Sequence, residues 1–553
     1  MRGIAVVLLF ACGEEPEPEP GFEAARLVID TPAPASWVAP GPVVVSGLAH
    51  ALKDVEVNGA PAEVDGERFT AIIEVGEGVT AFEVHGTDNA GDDVYERRSL
   101  VAGRFGSDAG FVDDAVALRL SATGLQEVLD TVAGAIDVPA LVAQVQNPVV
   151  TGVVGFFDYE ISLLRLTMAP PRVSAELADG VMRLTVEIED IQTTVGLAGG
   201  IAPLLLDTTA TSGIDRLTAA VDVRLYVAGG GLDVELSPIA IDLRGFTFDA
   251  SLIPFGFEDQ IPILSDAVEQ FLVSSVEEQV SALAPEIVDG FESQLLLSFS
   301  TTILDTTATV DARFASVAVD PDGLELGLDM GLTLSGEGAA ARYAGVLTLP
   351  AAPHEVPVEP DVGVSLHDDL LNRILFEAWQ AGLLNLTITT EDLPLLGTML
   401  SDLGSTEGSI QVTAHLPPVA IQREGQLDLQ VGELDLRLET VGGDYGDFVV
   451  IRMAGKIPIN PSIEGGELGV EIGTPELSLM VVDTDWNASN DTITDLLEAQ
   501  IPLDSLLSLV GVLAKFEIPP FAGLLIEEAT AARASSGVHT VLELNLGPAP
   551  VVP

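Results

Sequence analysis

The chain of 553 residues contains a single cysteine, Cys12. A disulfide within the chain is therefore impossible, and so is a zinc site built on several thiolates. Basic residues are scarce: 23 Lys and Arg stand against 85 Asp and Glu, a net charge of -62, and lysine occurs only at Lys53, Lys456 and Lys515. Nucleic-acid binding needs a basic footprint that displaces counterions, so no nucleic-acid partner is expected. An anionic lipid surface would not attract this body either. Aromatics make up 5%, so the 47% of hydrophobic residues is mostly Leu, Val, Ile and Ala. Beyond the amino terminus no run reaches the ~18 uninterrupted apolar residues of a membrane-spanning helix.

Chemistry is equally sparse. The six histidines (His50, His85, His354, His367, His415 and His539) are scattered and none sits at metal-ligand spacing. There is no nucleophile elbow, P-loop or dinucleotide fingerprint. His367 reads as a solvated residue in a helix-capping turn. Asp483-Thr484-Asp485-Trp486-Asn487 looks like the start of a calcium loop, but Ala488 and Thr494 stand where such a loop needs Gly and Glu. An acidic turn is the simpler reading. The acid excess as a whole reads either as a hydrated, salt-adapted surface or as clustered calcium sites. No catalytic residue, metal or cofactor is expected, and the chain reads as a non-enzyme.

What is present is patterned. Arg2 followed by the apolar residues 4–11 resembles a short signal peptide, and Leu9-Phe10-Ala11-Cys12 resembles a bacterial lipobox, with Phe10 as a departure. Cys12 is the expected lipidation site, which would anchor an exported protein to the membrane, most naturally the outer membrane, facing the periplasm or the cell exterior. More than one acyl chain is needed for stable anchoring. Residues 13–21, GEEPEPEPG, form an extended acidic tether of about 25–30 Å.

Residues 24–103 carry short β-like runs separated by turn signals, with Asn58-Gly59 and Asp65-Gly66 as hairpin dipeptides. The VNG at 57–59, the exposed DG at 65–66 and TDNAG at 87–91 look like those of immunoglobulin-like modules, all-β sandwiches that mostly act as spacers. Beyond a linker at 103–110, long strands and helices are expected. Leu125, Val128, Leu129 and Val132 share one helical face, and Val268, Phe271, Leu272 and Val276 share another, with Pro285 interrupting that helix. Residues 182–188, 221–227 and 324–334 alternate apolar with other residues, as strands of an antiparallel sheet do. After the Pro-rich crossing segment 351–360, Ser365 with Asp368 forms a capping box before a helix carrying Leu371, Ile374, Leu375 and Trp379. A second capping box, Thr492 with Asp495, precedes a helix opened by Pro502 that carries Leu506, Leu507 and Val510. The order strand, helix, strands, helix thus occurs twice.

The duplicated order, with VSLHDDLLNRILFEAWQAGLLNLTITTEDL at 364–393 and IPLDSLLSLVGVLAKFEIPPF at 501–521, resembles the tubular lipid-binding proteins related to bactericidal/permeability-increasing protein, lipopolysaccharide-binding protein and cholesteryl ester transfer protein. Ser365, Asn372, Gly382 and Leu383 fit the start of that family's second domain. The resemblance implies an α+β body of two elongated barrels, each a long helix on a highly twisted antiparallel sheet, joined by a central sheet. Together with the amino-terminal readings above, it divides the chain into 1–11 signal peptide, 12–23 lipidated tether, 24–103 immunoglobulin-like domain, 112–300 first barrel, 301–360 central sheet and linker, and 361–553 second barrel. The helical stripes named above would then line lipid pockets. The missing disulfide and the acidic surface depart from the family and argue against endotoxin capture. Tail burial is indifferent to surface charge, and sixteen carbons would gain roughly 12 kcal/mol before ordering costs. The expected function is non-catalytic binding, extending to transfer, of phospholipid or another acyl lipid. The alternative is a structural or adhesive surface protein without lipid, whose protein partner is unknown.

Overall fold

The computed structural model describes residues 25–134, 147–154, 157–201, 204–251, 261–294, 298–303, 306–336, 343–390, 397, 400–401, 404–405, 407–423, 425–441, 446–464, 467–486, 492–494, 516–517 and 525–547. The chain divides into two compact units, Met1–Ala102 and Gly103–Pro553.

In the first unit, a four-stranded sheet (Arg26–Thr31, Gly41–His50, Arg68–Val75, Glu63–Asp65) and a five-stranded sheet (Ser36–Val38, Asp93–Ala102, Gly78–Asp88, Leu52–Val57, Ala60–Pro61) enclose one core. Alternate residues supply it: Leu27 and Ile29, Phe69, Ile73 and Val75, Phe82 and Val84, Leu100 and Ala102. Successive strand residues point to opposite faces, so this alternation produces one apolar face per sheet. Val57 pairs with Ala60 and Asp65 with Arg68, which makes each connection a two-residue turn.

The second unit holds three larger sheets. The seven-stranded one runs Ser298–Ile303, Thr306–Asp320, Gly323–Leu334, Phe111–Ser121, Val362–His367, His539–Gly547, Leu525–Arg533. Its middle strands come from distant parts of the chain. One eight-stranded sheet is built around the hairpin of Val181–Ile201 and Leu204–Ala228, and a second around Gln426–Thr440 and Phe448–Glu464.

The expected α+β body of two helix-on-sheet barrels is not what the chain forms. Among the described residues strand accounts for 66% and helix for 12%, in β-rich sandwiches. Period-two alternation dominates the chain, giving strands of 21 and 25 residues. The described helices are α1 (Ala122–Gly134), α2 (Ile261–Gln294) and α3 (Asp368–Gln380). Helix α2 runs through Pro285 instead of being interrupted there; a helical proline removes one hydrogen bond but does not oblige the helix to end.

Helix α3 does not lie across a sheet as a long surface helix would. It is 13 residues long and buries polar as well as apolar side chains: Asp368, Asn372, Arg373 and Glu377 beside Leu375, Phe376 and Trp379. These polar side chains are paired, although Arg373 Nε is buried with no hydrogen-bond partner among the described residues. Asn372 donates to Ala420 O at 3.1 Å and accepts from Ala420 N at 2.7 Å. Arg373 pairs with Glu377 at 2.8 Å, and Arg533 donates to both Asp368 oxygens at 2.6 Å. Burial still pushes the Glu377 carboxyl above its ordinary pKa, against the pull of Arg373.

The cap of α3 also differs from the expected box. Ser365 is fully buried in strand Val362–His367. His367 is the N-cap, its ring accepting from Asp369 N at 3.1 Å, and it is buried, not solvated. The other end closes on Gly382 at φ +78°, with Gly382 N donating to Trp379 O and Leu383 N to Ala378 O. This is a Schellman closure, and Leu383 packs in one cluster with Ala378.

Candidate binding surface

Helix α1 begins on Ser121, whose hydroxyl accepts from Gly124 N at 3.1 Å. Gly124 lies against the Asp361 carbonyl so closely that a Cβ would fall 2.2 Å from that oxygen. The face at Leu125, Val128 and Leu129 is buried. Gln126 fastens α1 to strand Arg172–Ala178, donating to Val173 O at 2.8 Å and accepting from Ala175 N at 3.4 Å. Glu127 is pushed above the ordinary carboxylate range, first by burial and then by Asp361, Glu527 and Asp130.

Helix α2 packs on strand Gly231–Leu236 and reaches Leu204–Ala228 and Val150–Val154. Leu264, Val268 and Leu272 are buried, while Phe271 and Val276 are half-buried against the same core. Below it the sheet face changes along its length. Leu217, Ala219, Val221 and Val223 are buried, but Leu225, Val227, Leu232, Val234 and Leu236 are only half-buried. Their neighbours Arg224, Tyr226, Asp233 and Glu235 are exposed. The apolar face therefore continues past the tightly packed zone and leaves hydrocarbon partly open to water. Its half-buried side chains belong to one apolar cluster with Phe271 and Val276 of α2.

The outward face of α2 is different. An open groove of about 530 Å³ is lined by Asp266, Glu269, Gln270, Val273, Ser274 and Glu277. Three carboxylates make it a poor seat for a hydrocarbon tail.

Of the residues singled out in the sequence, Leu125, Val128, Leu129, Val268, Phe271, Leu272 and Val276 meet in one cluster. Leu371 and Leu375 belong to another, with Ala420, Leu427, Leu429, Ile457 and Ile459. Ile374 packs in a third, against Val310, Leu332 and Leu334. Trp379 is 1% exposed; its indole donates to Ala414 O at 2.9 Å, and Phe376 and Tyr343 close around it. Of these α3 positions Leu375 and Trp379 are buried, and Leu371 and Ile374 are half-buried. The Val132 side chain, Leu506, Leu507, Val510 and Cys12 lie outside the described residues. The sequence reading did not assign the sheet side of the α2 cluster. Its signal was the alternation at 221–227, which does not distinguish a covered face from a partly open one.

Asp485 acts as a turn clamp, accepting from Asp447 N at 2.9 Å and Phe448 N at 2.8 Å. Among the described residues no group of three or more His, Cys, Asp or Glu is placed to hold a metal. No described helix is long and apolar enough to cross a membrane.

No family model matches the sequence, and no curated protein matches it. A solved structure similar to this chain is the crystal structure of lipopolysaccharide binding protein, at 13% identity and a TM-score of 0.43, covering 79% of this chain and 99% of that one.

Proposed function

We propose that the chain binds the hydrocarbon tail of an acyl lipid in the seam between α2 and the first eight-stranded sheet. The observation that carries this reading is the half-buried apolar face of Leu225, Val227, Leu232, Val234 and Leu236, which shares a cluster with Phe271 and Val276 of the helix that packs on Gly231–Leu236. A guest that covered it would add about 25 cal/mol for each Å² of apolar surface removed from water. With the net charge of -62, affinity comes from the tail, and neutral or zwitterionic headgroups are preferred over anionic ones. Phospholipid is the natural candidate, and delivery to or from a membrane is the role for which a lipidated Cys12 and its tether would hold the body in place. We read the protein as non-catalytic.

The test is native mass spectrometry of the protein after mild extraction, paired with titration of a fluorescent acyl probe. Bound lipid is expected, and Val276→Asp should weaken probe binding at least tenfold with the fold intact by circular dichroism. Absence of both lipid and probe binding overturns the reading. It would favour a structural or adhesive surface protein, a second reading supported by the solid packing around Leu375 and Trp379.

A further inference from the structure

Three of the six histidines, 185 residues apart at the extremes of the set, meet at one point. His367 and His539 are direct partners across strands Val362–His367 and His539–Gly547. Their ring centroids are 4.9 Å apart, and the His354 ring, from the crossing segment, lies 4.5 Å from His539. His539 is wholly buried, His367 nearly so, and His354 partly.

The hydrogen-bond partners limit where protons can sit on these rings. His354 Nε2 faces the Asp114 carbonyl at 2.8 Å, which only accepts, so this nitrogen carries a proton. In the neutral ring its Nδ1 accepts from the Ser365 hydroxyl at 2.9 Å. His367 Nδ1 accepts from Asp369 N, so a proton added there would break the cap of α3. His539 Nδ1 meets the Ser536 hydroxyl at 2.9 Å, and its Nε2 is buried with no hydrogen-bond partner among the described residues. A second proton on His539 would sit on a nitrogen with nothing to accept it.

The exposed Asp114 carboxylate favours a charged His354, while the other surrounding charges are already engaged. From α3, Asp368 is held by Arg533, and Asp369 accepts from Leu349 N at 2.7 Å with Arg104 nearby. From the strand Leu525–Arg533, the Arg533 cation itself opposes any imidazolium. From the crossing segment, Glu355 accepts from the main-chain N–H groups of Ser535 and Ser536 and from the Ser535 hydroxyl. Glu325 of strand Gly323–Leu334 is paired with Arg119 of strand Phe111–Ser121.

We propose that His354 and His539, packed together against the capping ring of His367, form an acid-operated latch. Neutral, they clamp the crossing segment 351–360 and the turn at 534–538 onto strand Val362–His367; protonated, they release this seam before the rest of the second unit loosens. The Glu355 and His354 bonds are what the release would break. Burial outweighs the nearby carboxylates, pushing the His354 pKa down and that of His539 down to about 4. A base with a depressed pKa in the closed state is protonated more readily once open. Its contribution is therefore complete above the ordinary value of 6.5 and lost as pH falls from there through about 4. His539 alone raises the opening constant about tenfold between pH 7.5 and 5.5, the ratio that these two pKa values require.

The experiment is hydrogen exchange of the full chain at pH 7.5 and 5.5, corrected for intrinsic exchange rates. Peptides from 351–367 and 534–547 should lose protection about tenfold or more relative to peptides from Gln426–Thr440 and Phe448–Glu464. His539→Leu should remove about tenfold of that loss. The proposal is overturned when the seam and the control strands change together, or when His539→Leu leaves the difference intact. Should that variant not fold, the ring signals of the wild-type protein carrying isotope-labelled histidine decide the matter. At least two rings must stay neutral at pH 5.5 in the folded chain; titration of all six near pH 6.5 refutes the latch.

Discussion

Asn372 offers the sharpest test of how α3 is held. Its side chain is 2% exposed and acts as a substitute strand, donating to the Ala420 carbonyl and accepting from the Ala420 amide. Ala420 is itself fully buried, so Asn372→Ala would strand one main-chain donor and one acceptor out of reach of bulk water. Each orphaned group costs about 1–3 kcal/mol, which puts the total near 2–5 kcal/mol once relaxation is allowed for. Asn372→Asp keeps the acceptor but turns a carboxylate oxygen toward the Ala420 carbonyl, so it should recover little of the loss at neutral pH. The assay is urea unfolding followed by the fluorescence of Trp379, two helical turns along from Asn372, with Trp37 and Trp486 changed to Phe. A loss below about 0.5 kcal/mol for Asn372→Ala would refute the reasoning, because it would mean that water or a shifted strand satisfies both groups at no cost.

Further expectations follow from the same region. Asp368→Ala leaves the Arg533 guanidinium buried without its carboxylate and should cost about 3–5 kcal/mol in the same assay, far more than loss of an exposed ion pair. Gly382→Ala forces a Cβ into the left-handed conformation that ends α3 and should cost about 1 kcal/mol, visible as a lower urea midpoint with an unchanged slope. At His415 the sign is opposite to that of the latch: its hydrogen bond to Asp435 raises the pKa. The stability from that pair is full below pH 6.5 and lost as pH rises through the raised value, so His415→Gln should flatten the pH dependence on that alkaline side.

Much of the second unit could be read locally. The alternation at 324–334 became strand Gly323–Leu334, and the stripes at Leu125, Val128 and Leu129 and at Val268 and Leu272 became buried helix faces. These succeed because side-chain direction follows from backbone periodicity alone. The same periodicity misled at α3. Its apolar stripe was expected to line a lipid pocket, whereas its polar side is enclosed too, with Asn372 and Asp368 matched by the distant partners Ala420 and Arg533. The capping box at Ser365 failed for a related reason: the strand pairing of 362–367 extends to His367 and leaves that residue to cap the helix.

By itself, then, the sequence determined which faces of which segments are apolar, where several turns close, and that the surface is acidic. Only the tertiary structure decided which segments become neighbours. Strand Phe111–Ser121 lies beside Val362–His367, and that strand beside His539–Gly547. This register brings His354, His367 and His539 together, an outcome with no local signature because it depends on the pairing of strands hundreds of residues apart, where one step of register sends every side chain to the opposite face. The sheet under α2 is paired between neighbours in the chain, and what only the tertiary structure decided there is how far the helix covers it.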